Sequence, residues 1–229
     1  MARIIVLMGP QGAGKGTQAQ MVSERFGLPI VATGDMLRDV ARTESPLGTQ
    51  VREILASGQL VSDDILAEVV KSRTSEEDCR NGYILDGFPR TLPQAELLEQ
   101  IAREQGHQIM VIELSLLRDL LYKRLTGRRQ CPDCGTIYNI YFKPPKRDMV
   151  CDLDGQSLVK RSDDNEEAIA QRLALYDEKT RPLVDYYSQT GRVSRVDGTG
   201  TPEEVFSRIA GIVERETAGE GGRMSMGEE

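Results

Sequence analysis

Gly9-Pro10-Gln11-Gly12-Ala13-Gly14-Lys15-Gly16-Thr17 follows the apolar run Arg3-Ile4-Ile5-Val6-Leu7-Met8 and precedes a helical stretch from Gln18 to Phe26. The run is nearly continuous in β-branched and apolar residues and stops at Gly9, which reads as a buried parallel strand feeding a turn. A glycine-rich turn between a strand and a helix is the setting of a phosphate loop. Its glycines let backbone N–H groups point inward, the helix N-terminus adds positive potential, and Lys15 supplies a full charge. Such a loop accommodates a triphosphate. A glycine-rich turn with a solvent-facing lysine is the alternative, against which the flanking strand and helix count. The common form of the motif has Ser or Thr directly after Lys. Here Gly16 intervenes and Thr17 comes one later, which implies a magnesium ion held mainly by phosphates and water.

Outward from this loop, Tyr83-Ile84-Leu85, Met110-Val111-Ile112-Glu113-Leu114 and Arg192-Val193-Ser194-Arg195-Val196 are further candidates for buried strands, each followed by a turn signal or a helical pattern. Strands alternating with helices predict an α/β fold with a parallel sheet flanked by helices. A last helix is expected from Thr201-Pro202-Glu203-Glu204, with Thr201 as cap, Glu204 closing a capping box, and Val205, Ile209 and Ile212 as its apolar face. Residues 217–229 are Gly- and Glu-rich without periodicity and read as a disordered tail.

The chain of 229 residues is long enough to bury a full core, as one main domain with insertions or as two small domains. A net charge of -7 disfavours a broad surface for nucleic acid. The N-terminal apolar run ends after five residues, too short for a signal sequence or a membrane span, and no later segment supplies one. The expectation is a folded cytoplasmic protein without nucleic-acid or membrane partners.

Residues 129–163 break the βα rhythm with Cys, Gly, Pro and short β-forming runs such as Thr136-Ile137-Tyr138, as an inserted small domain does. Within it, Cys131-x2-Cys134 and, sixteen residues on, Cys151-x2-Asp154 have the spacing of two knuckles that converge on one tetrahedral metal. Three thiolates and one carboxylate suit zinc and leave no ligand position open, so the site would be structural. Reduced thiols or a disulfide are the alternatives. A segment of this size lacks core enough to fold alone and gains stability from a metal. Cys79 lies outside the knuckles and reads as an unpaired thiol, and His107 as a surface residue.

The spelling Gly-x-x-Gly-x-Gly-Lys-Gly-Thr-Gln from Gly9 to Gln18 resembles that of adenylate kinases. Ala32-Thr33-Gly34-Asp35-Met36-Leu37-Arg38 is similar to that family's first AMP segment, and Leu85-Asp86-Gly87-Phe88-Pro89-Arg90-Thr91-Leu92-Pro93-Gln94 to its second. Gly127-Arg128-Arg129 and Arg161-Ser162-Asp163-Asp164, with Arg172, resemble its lid arginines, and some members carry the same Cys, Cys, Cys, Asp pattern. The resemblance implies a P-loop nucleoside monophosphate kinase core (1–127 and 165–216), an inserted AMP-binding flap (32–61) and a small zinc-bound β lid (128–164). It implies reversible, magnesium-dependent transfer between ATP and AMP to give ADP, by a monomer.

For the ATP side the resemblance implies Gly12, Ala13, Gly14, Lys15, Gly16, Thr17, Arg124, Arg128, Ile137, Tyr138 and Gly200. For the AMP side it implies Thr33, Arg38, Gln59, Leu60, Val61, Gly87, Phe88, Pro89, Arg90, Gln94, Arg161 and Arg172. Lys15, Arg90, Arg124, Arg128, Arg161 and Arg172 would carry the chemistry, since phosphoryl transfer asks chiefly for charge compensation between repelling phosphates. Thr33 and Gln94 resemble the AMP-selecting pair rather than its pyrimidine counterpart. Gln59 and Gln11 depart from the Lys and Pro of many relatives. Asp86 reads either as a carboxylate near magnesium or as a turn residue; Asp163 and Asp164 read as lid acids or as helix caps. Other readings are a related kinase with a different donor or acceptor base, and a nucleotide-gated protein whose knuckles bind nucleic acid. Acidic charge and the full arginine set count against the last.

Overall fold

The computed structural model describes residues 2–218. In chain order the elements are β1 (Arg3–Met8), α1 (Lys15–Phe26), β2 (Ile30–Ala32), α2 (Thr33–Ala41), α3 (Pro46–Ser57), α4 (Asp63–Thr74), a 3-10 turn (Glu77–Asn81), β3 (Gly82–Asp86), α5 (Leu92–Gln105), β4 (Gln108–Ser115) and α6 (Arg118–Thr126). There follow β5 (Arg128–Gln130), β6 (Ile137–Asn139), α7 (Glu166–Leu175), a π-turn (Tyr176–Thr180), α8 (Arg181–Ser188), β7 (Val193–Asp197) and α9 (Pro202–Ala218).

β1 is buried at every position because it is the central strand of a five-stranded parallel sheet ordered β2-β3-β1-β4-β7. Its alternation sorts the core into two layers. Ile4, Val6 and Met8 pack with Tyr83, Leu85, and Ala95 and Leu98 of α5. Ile5 and Leu7 pack on the other face with Ile112, Val22 of α1, Leu125 of α6 and Ile209 of α9. The chain leaves β1 through α1 toward β2 at one edge, returns to β3, and then crosses through α5 to β4 on the other side of β1. In such sheets this reversal opens a crevice at the carboxyl ends of the strands, where the Gly9–Thr17 loop sits.

All four expected strands form, each within two residues of its expected limits, and β2 is an addition. Its three residues pass into α2 without a loop, too short for a periodic signal. The Thr201 capping box is present: Glu204 N–H donates to Thr201 Oγ1 (3.2 Å) and Thr201 N–H to Glu204 Oε2 (2.9 Å). The third buried apolar residue of α9 is Val213, with Ile212 only partly buried beside it; both fall within one apolar face of the helix. α9 continues to Ala218, two residues into the expected tail; residues 219–229 lie outside the described part.

Two smaller clusters stand apart from the main core. Leu37, Val51, Val61 and Leu66 join α2, α3 and α4. Cys131, Tyr138, Cys151 and Leu158 underlie the antiparallel β5-β6 pair, which single bridges to Val159 and between Val150 and Ser157 extend. Among the described residues no helix is long and apolar enough to cross a membrane.

Candidate active site and metal centre

The loop after β1 needs glycine at its first position. Gly9 has φ 142°, and a Cβ there would stand 2.5 Å from the Leu114 carbonyl oxygen of β4. At its far end Gly14 precedes α1 with no side chain to cap the first N–H groups, so these face the crevice as donors for an anion. Lys15 folds back inside the loop, its Nζ donating to the carbonyls of Gly9 (2.7 Å) and Pro10 (2.9 Å). Burial lowers its pKa to about 8; Asp86 opposes that shift, and Arg90, Arg172 and Arg128 add to it. Asp86, at the end of β3, is pushed upward by burial against the pull of Lys15 and Arg90. Its Oδ2 lies so close to Gly16 that a Cβ there would meet it at 3.3 Å. A side chain at position 16 would press on that carboxylate, which glycine leaves unhindered.

Five arginines and Lys15 share one electrostatic space. Arg90 is lowered to about 10 by burial, with Arg172 the next largest influence and Arg38 a further one. Arg161 is likewise lowered to about 10 by burial, with Arg128 and Arg38 adding to the shift. Arg124 belongs to a different part of the wall: it donates to the Ala13 carbonyl (3.4 Å) and the Gly198 carbonyl (3.3 Å), and only burial shifts it. Gly198 thus touches the phosphate loop, whereas Gly200, two residues on, lies against the Glu204 side chain.

Buried acids hold this cationic cluster together. Asp164, with no exposed side-chain surface, takes both Nε (2.7 Å) and Nη2 of Arg128 and lies 3.5 Å from Arg172. Asp163 pairs with Arg172 at 3.0 Å, and its carboxyl is held low by Arg172 and neighbouring arginines in spite of its burial. The helix-cap reading of these acids is corrected, since Asn165 caps α7 by accepting from Ala168 N–H at 2.8 Å. Asp164→Asn takes the paired carboxylate from the buried Arg128 guanidinium and leaves Arg172 to Asp163 alone. It is expected to cost about 2 kcal/mol, read as a lower midpoint in urea unfolding.

On the opposite wall, Thr33 Oγ1 donates to the Gly87 carbonyl (3.0 Å), which also accepts from Arg90 Nε (2.7 Å). Phe88 is buried in the core and its bond to Pro89 is cis. Arg38 pairs with Asp35 along α2. Gln94 is buried, its Nε2 donating to Asp63 Oδ1 (2.6 Å) and its Oε1 accepting from Arg90 N–H (2.7 Å). Gln59 is exposed, Leu60 half-buried, and Val61 sunk in the α2–α4 cluster. The π-turn brings Thr180 under this wall, where its hydroxyl donates to the Arg90 carbonyl (3.0 Å). Cys79 and His107 stay outside the site: Cys79 is buried beside Arg73, and His107 bonds the Arg80 carbonyl.

Cys131, Cys134, Cys151 and Asp154 converge, with their ligand atoms all within 4.8 Å of one another. The two knuckles are built alike. Gly135 N–H donates to the Cys131 carbonyl (3.2 Å) and Cys131 N–H to the Thr136 carbonyl (2.9 Å); Gly155 N–H donates to the Cys151 carbonyl (3.1 Å) and Cys151 N–H to the Gln156 carbonyl (2.8 Å). Cys134 and Cys151 sulfurs stand 3.6 Å apart, far beyond a disulfide and close to the ~3.8 Å edge of a tetrahedron with zinc–sulfur bonds of about 2.3 Å. The donor set fits a tetrahedral thiophilic ion. Gln156 N–H, bonding Asp154 Oδ1, is foremost in holding that carboxylate well below the usual range. Tyr138 turns inward to this centre, its hydroxyl 3.5 Å from Cys151 Sγ and accepting from Asp152 N–H, while Ile137 beside it is exposed.

Residues 7–192 match the protein family described as adenylate kinase. An adenylate kinase of Pelobacter propionicus is 47% identical over 211 residues, 92% of this chain and 96% of the relative. One from Carboxydothermus hydrogenoformans is 44% identical over 92% of this chain and 99% of its own length, and one from Bacillus subtilis 43% identical over 91% and 97%.

Proposed function

The chain belongs to the adenylate kinase family, and from that premise we propose how its own residues divide the work of phosphoryl transfer. It is an ATP:AMP phosphotransferase with ATP, AMP and ADP as substrates, and magnesium enters with ATP. The observation that carries the residue-level reading is the gathering of Lys15, folded into the loop onto the Gly9 carbonyl, with Arg90, Arg128 and Arg172, the last two held on Asp164 and Asp163; beside burial, the three arginines add to the lowering of the Lys15 pKa. Cations gathered this closely need a polyanion to lie among them.

Lys15 and the N–H groups of Gly12, Ala13, Gly14, Gly16 and Thr17 grip the β- and γ-phosphates of ATP, with Arg124 bracing the loop from behind. Ile137 and the strand backbone at Tyr138 border the donor nucleotide from the lid, and the Gly198–Gly200 turn borders it from the core. Arg38 and Arg90 take the AMP phosphate, and Arg128, Arg161 and Arg172 face the transferring group. Their planar forks bind phosphate oxygens bidentately. Phosphate oxygens take over the arginine bonds that Asp163 and Asp164 make in the structure, so the cations are aimed before substrate arrives. Bound magnesium supplies charge neutralisation between the phosphates, and Asp86 is the carboxylate suited to hold its waters.

Residues 32–61, with Thr33, Gln94 and the Gln59–Val61 backbone, receive AMP. Residues 128–164 act as a lid that excludes water on closing, with one zinc on Cys131, Cys134, Cys151 and Asp154 holding its shape. A single cytoplasmic chain suffices for this cycle. The test is turnover of purified protein across a nucleotide panel. ADP is expected from ATP plus AMP with magnesium, at a kcat/KM well above that with UMP, CMP or GMP as acceptor or GTP as donor; equal or greater turnover with one of these would overturn the base assignment.

A further inference from the structure

The Gln94 amide is held at both ends by groups of opposite kind. Asp63, in the first turn of α4, offers only lone pairs to Nε2 (2.6 Å), and Arg90 N–H offers only a hydrogen to Oε1 (2.7 Å). Turning the amide over would set oxygen against carboxylate and N–H against N–H, losing both bonds. Asp63 is itself fixed by Thr91, whose hydroxyl lies 3.2 Å from each carboxylate oxygen and whose Oγ1 also caps α5. The amide therefore has one orientation, with one N–H and one oxygen lone pair uncommitted, in a set order. Adenine presents an acceptor at N1 and a donor at its 6-amino group. Hypoxanthine and guanine present the reverse, a donor at N1 and an acceptor at O6. The two base classes call for opposite amide orientations.

We propose that Asp63 is a positioning residue for acceptor specificity: by fixing the orientation of Gln94 it selects an adenine acceptor over a 6-oxopurine. This rests on the reading that Gln94 faces the acceptor base. Asp63→Asn preserves the shape but can offer either a lone pair or an N–H to Gln94, which removes the lock at one end. Asp64, exposed on the same helical turn, supplies the control Asp64→Asn, with the same loss of charge.

The experiment compares kcat/KM for AMP with that for IMP in wild type, Asp63→Asn, Asp63→Ser, Asp64→Asn and Gln94→Ala, with melting temperature and the KM for ATP recorded for each. Expected is a fall of about tenfold in the AMP-to-IMP ratio in both Asp63 variants, with the ATP KM unchanged and Asp64→Asn like wild type. A merely structural role would lower turnover with both acceptors and leave the ratio alone. An unchanged ratio at Asp63 while Gln94→Ala loses discrimination overturns the proposal and leaves the base reading standing. An unaltered AMP KM and ratio in Gln94→Ala removes the base reading and the proposal with it. An equal fall in Asp64→Asn, or failure of both Asp63 variants to fold, also overturns it.

Discussion

Lys15→Met is expected to lower kcat/KM for ADP formation by about 10³-fold while leaving the melting temperature unchanged or raising it. Loss of one pre-aimed charge at a developing anion costs roughly that much, about 4 kcal/mol of transition-state stabilisation. The stability half of the expectation follows from the nucleotide-free site. There the ammonium is buried among Arg90, Arg128 and Arg172, with two carbonyls and Asp86 in compensation, and its pKa is drawn down to about 8. Removing it relieves repulsion. A stopped-time assay of ADP formation beside a thermal melt checks both parts.

The same lysine gives a signed pH dependence. A bound polyphosphate favours the charged ammonium, so the Lys15 pKa is higher in the complex than in the free enzyme. Below pH 8 the lysine is already protonated and ATP affinity is flat. As pH rises above about 8, binding must take up a proton, and Kd for ATP weakens toward a limit of about tenfold per pH unit. Calorimetry from pH 7 to 9 should show that proton uptake in wild type and none in Lys15→Met.

Cys134→Ser is expected to lower the melting temperature by about 10 °C, the shift that a loss of roughly 3–5 kcal/mol produces in a chain of this length, and to lower kcat at 25 °C by less than about threefold. The cluster beneath the β5-β6 pair holds four buried side chains, two of them cysteines of the centre itself, so a bound metal would contribute much of what holds the segment folded. Wild type should carry about one zinc per chain by metal analysis, and the variant little. A metal-free wild type that melts with the variant would overturn the structural-metal reading. The rate is expected to be spared because none of the four ligands figures among the charges acting on Lys15, Arg90 or Arg161.

The elements legible in the sequence are those whose signals are local. Arg3–Met8 is apolar throughout because it is covered on both faces, and the loop glycines lie beside it. The two knuckles repeat one spacing and one following glycine. What escaped was decided at a distance. Asp163 and Asp164 stand where a helix begins and look like caps; only the fold brings Arg128, far upstream, onto Asp164. Asp63 reads as an ordinary first-turn acid, and its partner Gln94 lies 31 positions away. Gly198, which carried no signal in the sequence, lies by Ala13 of the loop, and Arg124 of α6 bonds the carbonyls of both. In α9 periodicity does not choose between Ile212 and Val213, since both fall within one helical face; packing buries Val213.

β1 precedes the other strands of its sheet in the chain and is the innermost strand of that sheet. Its neighbours arrive much later: Arg3 is in register with Gly82 on one side and Gln108 on the other. Until those segments are made, Ile4 to Met8 is an apolar stretch with neither strand edge paired within the sheet. Pairings so distant in sequence make assembly slow, and they set the order in which the sheet can close: β1 cannot be covered on either edge before β3 and β4 are made.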